Sequence, residues 1–379
     1  MTAPNLLNRV YDELGVRPVI NGGGTHTIYG GARMAREVLE AMAEASRSFV
    51  QITDLNRAAG EYIAEVTGAE AGMVCSGAAG GIVLMTAASM TGTDAAKIHR
   101  LPDTTGMKDE VVTQRQHYGG FTHMHTYAGA KLVEVGTTTG CAPEDLASAI
   151  GPQTAAVAFL YAPGVHTGGM TLQDVTEIAH SREVPVIVDS AAMLPPKRNL
   201  KRPIAEGADM ATTSGGKFIG GPQATGLLYG RKDLIEAAMK NANPHPGVGR
   251  PMKVSKEGIV GLVTALRMYL EADEEALLAE VRERAEYIAR EVAEIPGLAV
   301  SVEQDEYRYF VPTTVIAFKP DWRGHSGPEI KEALISGDPP VYMNYDQHSN
   351  SLNVNPLNVQ EGETEILARR LKEELEKGA

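Results

Sequence analysis

The chain has 379 residues, 43% of them hydrophobic, and a formal net charge of -13, which allows two or three domains with a sizeable core. A pI near 5.3 and the absence of any lysine or arginine run would repel a phosphate backbone, so nucleic acid is not expected as a partner. Cys75 and Cys141 alone cannot form a disulfide framework, no stretch approaches the roughly 18 apolar residues of a membrane span, and the opening MTAPNLLNRVYDELGV has neither a basic n-region nor an apolar h-region; a cytoplasmic protein without membrane contact is expected.

Residues 1–55 read as an N-terminal segment packing near the active site and the small domain. It holds the loop Asn21-Gly22-Gly23-Gly24-Thr25-His26-Thr27, whose glycines lack the GxGxxG spacing between strand and helix, so no dinucleotide site is read there. Residues 56–253 alternate between strand-like and helix-like runs, as a doubly wound, mostly parallel sheet requires. Seven strands are predicted, at 72–75, 110–113, 131–135, 155–161, 184–188, 210–212 and 226–229. One helix opens at Ala142-Pro143-Glu144 and another at Thr171-Leu172, with proline or acids in the first turn. Residues 254–379 begin with one long helical pattern from Val254, broken at Pro296-Gly297. Short β-rich runs at 298–302, 310–318, 341–345 and 351–354 follow, then a charged helix from about Glu361, which makes a smaller α+β domain.

The chemistry concentrates between Val184 and Arg231. Asp189 ends the apolar run Pro185-Val186-Ile187-Val188, where a buried parallel strand would emerge and where α/β sheets bind ligands. Lys217 stands between Ser214-Gly215-Gly216 and Phe218-Ile219-Gly220-Gly221. No acid lies within three residues of it, and small neighbours let a ligand approach the backbone. Such a pair suits pyridoxal 5'-phosphate, with the lysine as Schiff-base amine and the aspartate keeping the pyridine nitrogen protonated. The alternatives are a surface lysine in a glycine turn and an aspartate that caps a helix. Cys75-Ser76-Gly77-Ala78-Ala79-Gly80-Gly81 lies between an apolar run and a helix, so Ser76, Gly77 and Ala78 would present amides to the cofactor phosphate, or merely form a strand-to-helix turn. Ser214 could add a hydroxyl to the same phosphate.

The strings SGGKFIGGPQATGLLYGRKDLI, RPVINGGGT, GAEAGMVCSGAAGGIVL and AGAKLVEVG resemble the fold-type I pyridoxal phosphate enzymes of the selenocysteine synthase group, most of all its D-glucosaminate-6-phosphate ammonia-lyase branch. The likeness runs from about Arg17 to Leu270. It implies the fold-type I transferase architecture, at least a homodimer, and Gly220-Gly221-Pro222 near a neighbouring subunit's cofactor. It also implies a histidine stacked on the pyridine ring, which favours His117 in Gln114-Arg115-Gln116-His117-Tyr118 over the alternative Tyr118. Selenocysteine synthases carry an extra N-terminal tRNA-binding domain, and this chain opens almost at once on the RPVIN segment, which counts against a tRNA substrate.

The resulting expectation is a lyase acting on a small hydroxy-amino acid or amino-sugar acid. Lys217 would remove the Cα proton, a β-hydroxyl would leave, and a 2-keto acid and ammonia would be released. A racemase or aldolase would use the same carbanion, and a selenium transferase acting on aminoacyl-tRNA is the remaining alternative. His166 would contact substrate or the cofactor's phenolic oxygen, or be a turn residue; His26 would reach toward the site. His123 and His125 have H-x-H spacing, yet no acid or cysteine stands close by, so a polar helix is read there and no metal site. No arginine lies between Gly324 and Ala368, where this fold often holds the substrate carboxylate. Arg33, Arg250, Lys253 and Arg308 are the substitutes considered, each with the alternative of a solvated surface charge.

Overall fold

The computed structural model describes residues 9–165 and 169–377. By contacts the chain divides into Met34–Glu271 and a second unit formed by Met1–Arg33 with Ala272–Ala379. The boundaries expected from sequence were 55/56 and 253/254. They fall elsewhere because the helix Lys256–Glu271 packs on the helix Arg36–Ser46. A Cβ at Gly261 would lie 2.8 Å from Met42 Cγ, and Lys256 Nζ donates to Ala45 O at 2.6 Å. Both helices therefore belong to the larger unit.

A short strand β1 (Ile20–Asn21) comes first in the chain. The larger unit then carries β2 (Ala71–Cys75), β3 (Glu110–Gln114), β4 (Lys131–Val135), β5 (Thr154–Leu160), β6 (Val186–Asp189), β7 (Met210–Ser214) and β8 (Gly226–Gly230). They form one seven-stranded sheet in the order β2-β8-β7-β6-β5-β3-β4. Only β8 runs against the rest. The central strands β5, β6 and β7 are buried along nearly their whole length, which is why they read as continuous apolar runs. The helix Gly77–Thr91 is buried almost all round and forms the centre of the core with Met73, Val111, Ala156, Ile187 and Leu228. An all-round apolar helix of this kind is stable only when covered on every side.

The smaller unit holds β9 (Leu298–Glu303), β10 (Thr313–Phe318), β11 (Val341–Tyr342), β12 (Asn344–Asp346) and β13 (Ser351–Val354). Four of them make an antiparallel sheet in the order β12-β13-β10-β9, while β11 pairs in parallel with β1, Ile20 opposite Val341. The single run expected at 341–345 is thus two strands in two sheets, separated at the buried Met343. The long helix expected from Val254 is also two, Lys256–Glu271 and Glu274–Val292. Asp273 caps the second by accepting from the Ala276 amide at 3.0 Å, with Glu274 and Glu275 in its first turn. Among the described residues no helix is long and apolar enough to cross a membrane.

Close approach of the helix Gly77–Thr91 to the sheet depends on Gly81, where an added Cβ would overlap the Thr212 hydroxyl on β7. Gly81→Ala should lower stability by about 1–3 kcal/mol, as overpacking of a tight interior does. The urea unfolding midpoint measures it, and an unchanged midpoint would show that this contact relaxes freely.

Candidate active site

All six parallel strands of the larger sheet end at one edge, and β8 begins there. Register places Leu160 beside Asp189, Asp189 beside Thr212, and Ser214 and Cys75 on either side of Gly226. Asp189, Ser214 and the loop after Cys75 are therefore carried to one line along the sheet, at the edge where ligands of such sheets bind.

At one end of the line, Ser76 leads into the helix Gly77–Thr91 and makes no side-chain cap. The first bond of the helix runs from Gly80 N to Ser76 O at 3.2 Å, so the amides of Gly77, Ala78 and Ala79 are the unpaired donors of its N-terminus. Gly77 takes φ +65°, a conformation that favours glycine. A Cβ at Gly226 would come within 2.7 Å of the Gly77 carbonyl carbon, so β8 starts directly against this loop. These amides, the helix dipole and the Ser76 hydroxyl make a site for an anion. Exposed Arg250 is brought near, since neighbouring Gly249 abuts Leu84 and Met252 approaches Gly80 of the same helix.

Lys217 lies in the turn joining β7 to β8, and its backbone is fixed on both sides. Gly215 N donates to Thr225 O at 2.9 Å, Gly220 N to Lys217 O at 3.0 Å and Gly221 N to Gly215 O at 2.9 Å. Gly220 has φ +75°, and a Cβ at Gly215 would lie 2.5 Å from both Leu262 Cδ1 and Thr225 Oγ1. Burial pushes the Lys217 amine below the usual lysine range, while the Asp189 charge pulls it back up. Burial likewise raises Asp189, opposed by the Ala191 amide, which donates to Oδ1 at 2.9 Å, and by the charge of Lys217. The two groups thus feel each other directly, each in surroundings that disfavour its ionised form.

His117 ends a short 3-10 turn after β3 and is buried. Its ring meets Phe159 edge-on with centroids 4.4 Å apart, and the Leu160 amide donates to Nδ1 at 3.5 Å. Tyr118 beside it is exposed. His117 and Asp189 line one cavity of about 70 Å³, together with Thr113, Thr122, His125 and Phe159.

His125 was not expected in this company. The H-x-H reading assumes an extended chain, but Thr122–Ala128 is a 3-10 helix, which turns His125 inward and leaves His123 exposed. His125 Nδ1 is 2.7 Å from Thr86 Oγ1, and burial lowers its pKa to about 4. Apolar periodicity gave no signal for it, since Phe121, four residues before His125, is exposed and Met124 is only half-buried. Among the described residues, no three His, Cys, Asp or Glu side chains could hold a metal ion.

The remaining candidates divide by unit. His26 is exposed and sits edge-on to Tyr342, 6.3 Å between centroids. Arg33, also exposed, lines a cavity with Arg17, Tyr29 and Glu363 within the smaller unit. Arg308 is committed to an ion pair with Asp346 and so is not free to hold a substrate carboxylate. His166 lies outside the described residues. The asparagine-rich stretch in place of the missing arginine has a structural use: Asn344 Nδ2 donates to Gly23 O at 3.1 Å, and Asn358 Nδ2 to Gly24 O at 2.8 Å and Gly31 O at 3.2 Å. These bonds satisfy carbonyls of the glycine loop and fix its path.

A seven-stranded, mostly parallel sheet with its polar groups at the carboxyl edge, accompanied by an α+β unit, defines the aminotransferase-like, fold-type I class of enzymes. Residues 19–306 match the SelA, L-seryl-tRNA selenium transferase, family, and the chain belongs to it. It is similar at 34% identity to the 5'-C-glycyluridine monooxygenase-decarboxylase of a Streptomyces species, over 96% of this chain and 91% of that protein. It is equally similar, at 34%, to the D-glucosaminate-6-phosphate ammonia lyase of Salmonella typhimurium, over 98% of this chain and 99% of that one. A solved structure of a D-glucosaminate-6-phosphate ammonia-lyase superposes with a TM-score of 0.84 at 32% identity, covering 100% of both chains.

The neutrality of His125 has a consequence for stability. An unfolded histidine takes up its proton near pH 6.5, whereas the folded one does so only near 4. Between these values the unfolded chain binds more protons, so stability is lost as pH falls, by up to about 3 kcal/mol. His125→Gln should remove that component. Urea unfolding at pH 7 and pH 4.5 would show a smaller acid loss in the variant, and equal losses would place the titrating group elsewhere.

Proposed function

We propose that this chain is a pyridoxal phosphate-dependent lyase that converts a hydroxy-amino acid or amino-sugar acid into a 2-keto acid and ammonia. The observation that carries the reading is the mutual coupling of Lys217 and Asp189, beside the unpaired amides of Gly77, Ala78 and Ala79. The donor set fits the cofactor part by part. Lys217 supplies the amine for its aldehyde, Asp189 a carboxylate for its ring nitrogen, and Ser76, Gly77 and Ala78, with Ser214, donors for its phosphate. His117 would pack against the ring, and Gly220 keeps the lysine turn tight. When bound, the cofactor supplies an electron sink for negative charge at the substrate Cα.

The rest of the reaction falls to the chain's own groups. Asp189 holds a proton at the heterocycle nitrogen. The desolvated Lys217 amine, neutral for part of the time, accepts the Cα proton. That proton, or one from His117, then goes to the departing β-hydroxyl, which leaves as water. The enamine left behind tautomerises, and addition of one water releases ammonia and the keto acid, so no oxidant is needed. Arg250 and Lys253, exposed beside the anion end, are the basic residues we assign to the substrate's acidic groups, with His26, Arg33, Tyr118 and His166 as further candidates. A small-molecule substrate, a cytoplasmic location and a homodimer or higher assembly complete the proposal; the acidic chain disfavours a tRNA substrate.

A second reading is favoured by the equally similar Streptomyces relative, whose name states a monooxygenase and decarboxylase. Racemisation and aldol cleavage start from the same carbanion. Product analysis separates them: ammonia and a keto acid without oxygen uptake support the lyase, and carbon dioxide with oxygen consumption supports the other. The protein as purified should be yellow, and Lys217→Ala should abolish both the visible absorbance and turnover, by more than about 1000-fold for a lost base and covalent anchor. Full turnover in that variant would end the assignment of Lys217. A yellow wild-type protein that releases no ammonia from D- or L-hydroxy-amino acids or amino-sugar acids would end the lyase reading while leaving the cofactor in place.

A further inference from the structure

Gln114 and Gln116 form a polar chain to His117 and do not line the cavity that it shares with Asp189. Thr113 does line it, and Gln114, the next residue of β3, faces the opposite way because side chains alternate along a strand. Gln114 is 0% exposed, yet its Nε2 has no hydrogen-bond partner among the described residues. A buried amide with an unused donor is uncommon enough to need a reason. Gln116 Nε2 lies 3.3 Å from Gln114 Oε1 and 3.4 Å from His117 Nε2, so one terminal atom of Gln116 meets both neighbours. A Cβ at Gly169 would overlap the same amide, which shows that the chain after β5 packs directly on it.

The ring of His117 decides what that atom must be. The Leu160 amide donates to Nδ1 at 3.5 Å. A ring nitrogen that accepts carries no proton, so the neutral imidazole has its proton on Nε2. Nε2–H then needs an acceptor, and an amide NH2 facing it would set donor against donor. The oxygen and nitrogen of an amide have nearly the same shape, so their partners determine which one faces which. With the Gln116 oxygen at the shared point, it accepts from His117 Nε2–H and from the NH2 of a Gln114 turned over in the same way. This also removes the unused donor: the Gln114 nitrogen is bonded, and its oxygen takes the partnerless place, where a carbonyl is tolerated more readily than an N–H. The orphan at Gln114 and the accepting Nδ1 of His117 thus call separately for one arrangement. We propose that Gln116, backed by Gln114, is a positioning residue for His117, its carbonyl oxygen holding the Nε2 proton and with it the tilt of the ring. The effect on a cofactor ring packed against His117 rests on the reading proposed above, whereas the hydrogen-bond chain does not.

The test uses cofactor-free full-length protein with isotope-labelled histidine, and His117→Phe supplies the assignment. Nuclear magnetic resonance spectra that correlate ring protons with ring nitrogens tell a protonated nitrogen from a bare one. His117 should show a bare Nδ1 and a protonated Nε2 whose proton exchanges slowly with solvent. In Gln116→Leu, which removes the acceptor, that exchange should speed up by about fivefold, the worth of one neutral hydrogen bond. Gln116→Glu still offers an oxygen to both neighbours and should keep the slow exchange, a rescue that neither an N–H donor nor mere packing at this position would explain. If the leucine protein does not fold, the wild-type spectrum and the glutamate variant still decide. A proton on Nδ1, unchanged exchange in Gln116→Leu, or loss of the slow exchange in Gln116→Glu overturns the proposal. On the cofactor reading, Gln116→Leu should also bind pyridoxal 5'-phosphate about fivefold more weakly. Wild-type protein that takes up no cofactor would sink that reading alone, and the spectra of the cofactor-free protein would still decide this one.

Discussion

The coupling of Lys217 and Asp189 constrains everything around it. Burial moves each group toward its neutral form, and the charge of each moves the other back. The ionisation of each therefore depends on the state of the other as well as on burial. The attraction between them falls with separation, so it depends on where the backbone holds each group. The backbone accordingly leaves little freedom. Asp189 sits in register between Leu160 and Thr212, and the Lys217 turn is closed by three backbone hydrogen bonds. Glycine at 215 and 216 is required by neighbours rather than by flexibility, since a side chain at either would strike Leu262, Thr225 or Gln223.

The same rigidity links the lysine to the anion end. β8 lies between β2 and β7, so Gly226 touches the loop at Gly77 on one side and is paired with Ser214 on the other. The helix Gly77–Thr91 is pressed onto β7 at Gly81, which aims its unpaired amides at a point set by the sheet and not by a mobile loop. A phosphate bound there would be held at a fixed offset from the amine. Positioning of this kind is how a rigid scaffold contributes to a barrier without any bond to the reacting atoms.

Those parts of the site that rest on local chemistry were legible in the sequence. A parallel strand buried on both faces has to be apolar throughout, so the aspartate after Val186-Ile187-Val188 marks a strand's end, whether as a ligand group or a cap, and the glycines around Lys217 mark a turn with close neighbours. Helix breaks and inward-facing polar residues were harder to see. Asp273 interrupts an amphipathic pattern that is continuous in hydrophobicity, and its capping role depends on a side-chain bond that periodicity does not record. The run from Val341 to Tyr345 alternates like one strand, yet Met343 separates residues that pair with β1 from residues that pair with β13. The helix read around His123 and His125 is present as a 3-10 helix, but its polarity hid that the turn carries His125 inward and leaves His123 exposed. The asparagines at 344 and 358 were legible only as a departure from expectation; that they satisfy carbonyls of a glycine loop more than 300 residues away in sequence is a fact of tertiary structure.

An amine opposite a carboxylate supports any reaction that begins with negative charge at Cα, and relatives equally similar to this chain bear names for different outcomes. An edge shared by such relatives would therefore not by itself select the reaction. Selection has to come from the groups that meet the substrate beyond Cα, because elimination needs a proton delivered to a β-substituent whereas decarboxylation needs the carboxylate bond turned toward the plane of the electron sink. In this chain no arginine stands between Gly324 and Ala368, and Arg308 is held by Asp346. The strands of the smaller unit's sheet therefore carry no arginine whose planar fork is free for a carboxylate. On the proposed reading, orientation about Cα would fall to cations outside that sheet, such as Arg250, whose neighbours Gly249 and Met252 approach the helix Gly77–Thr91.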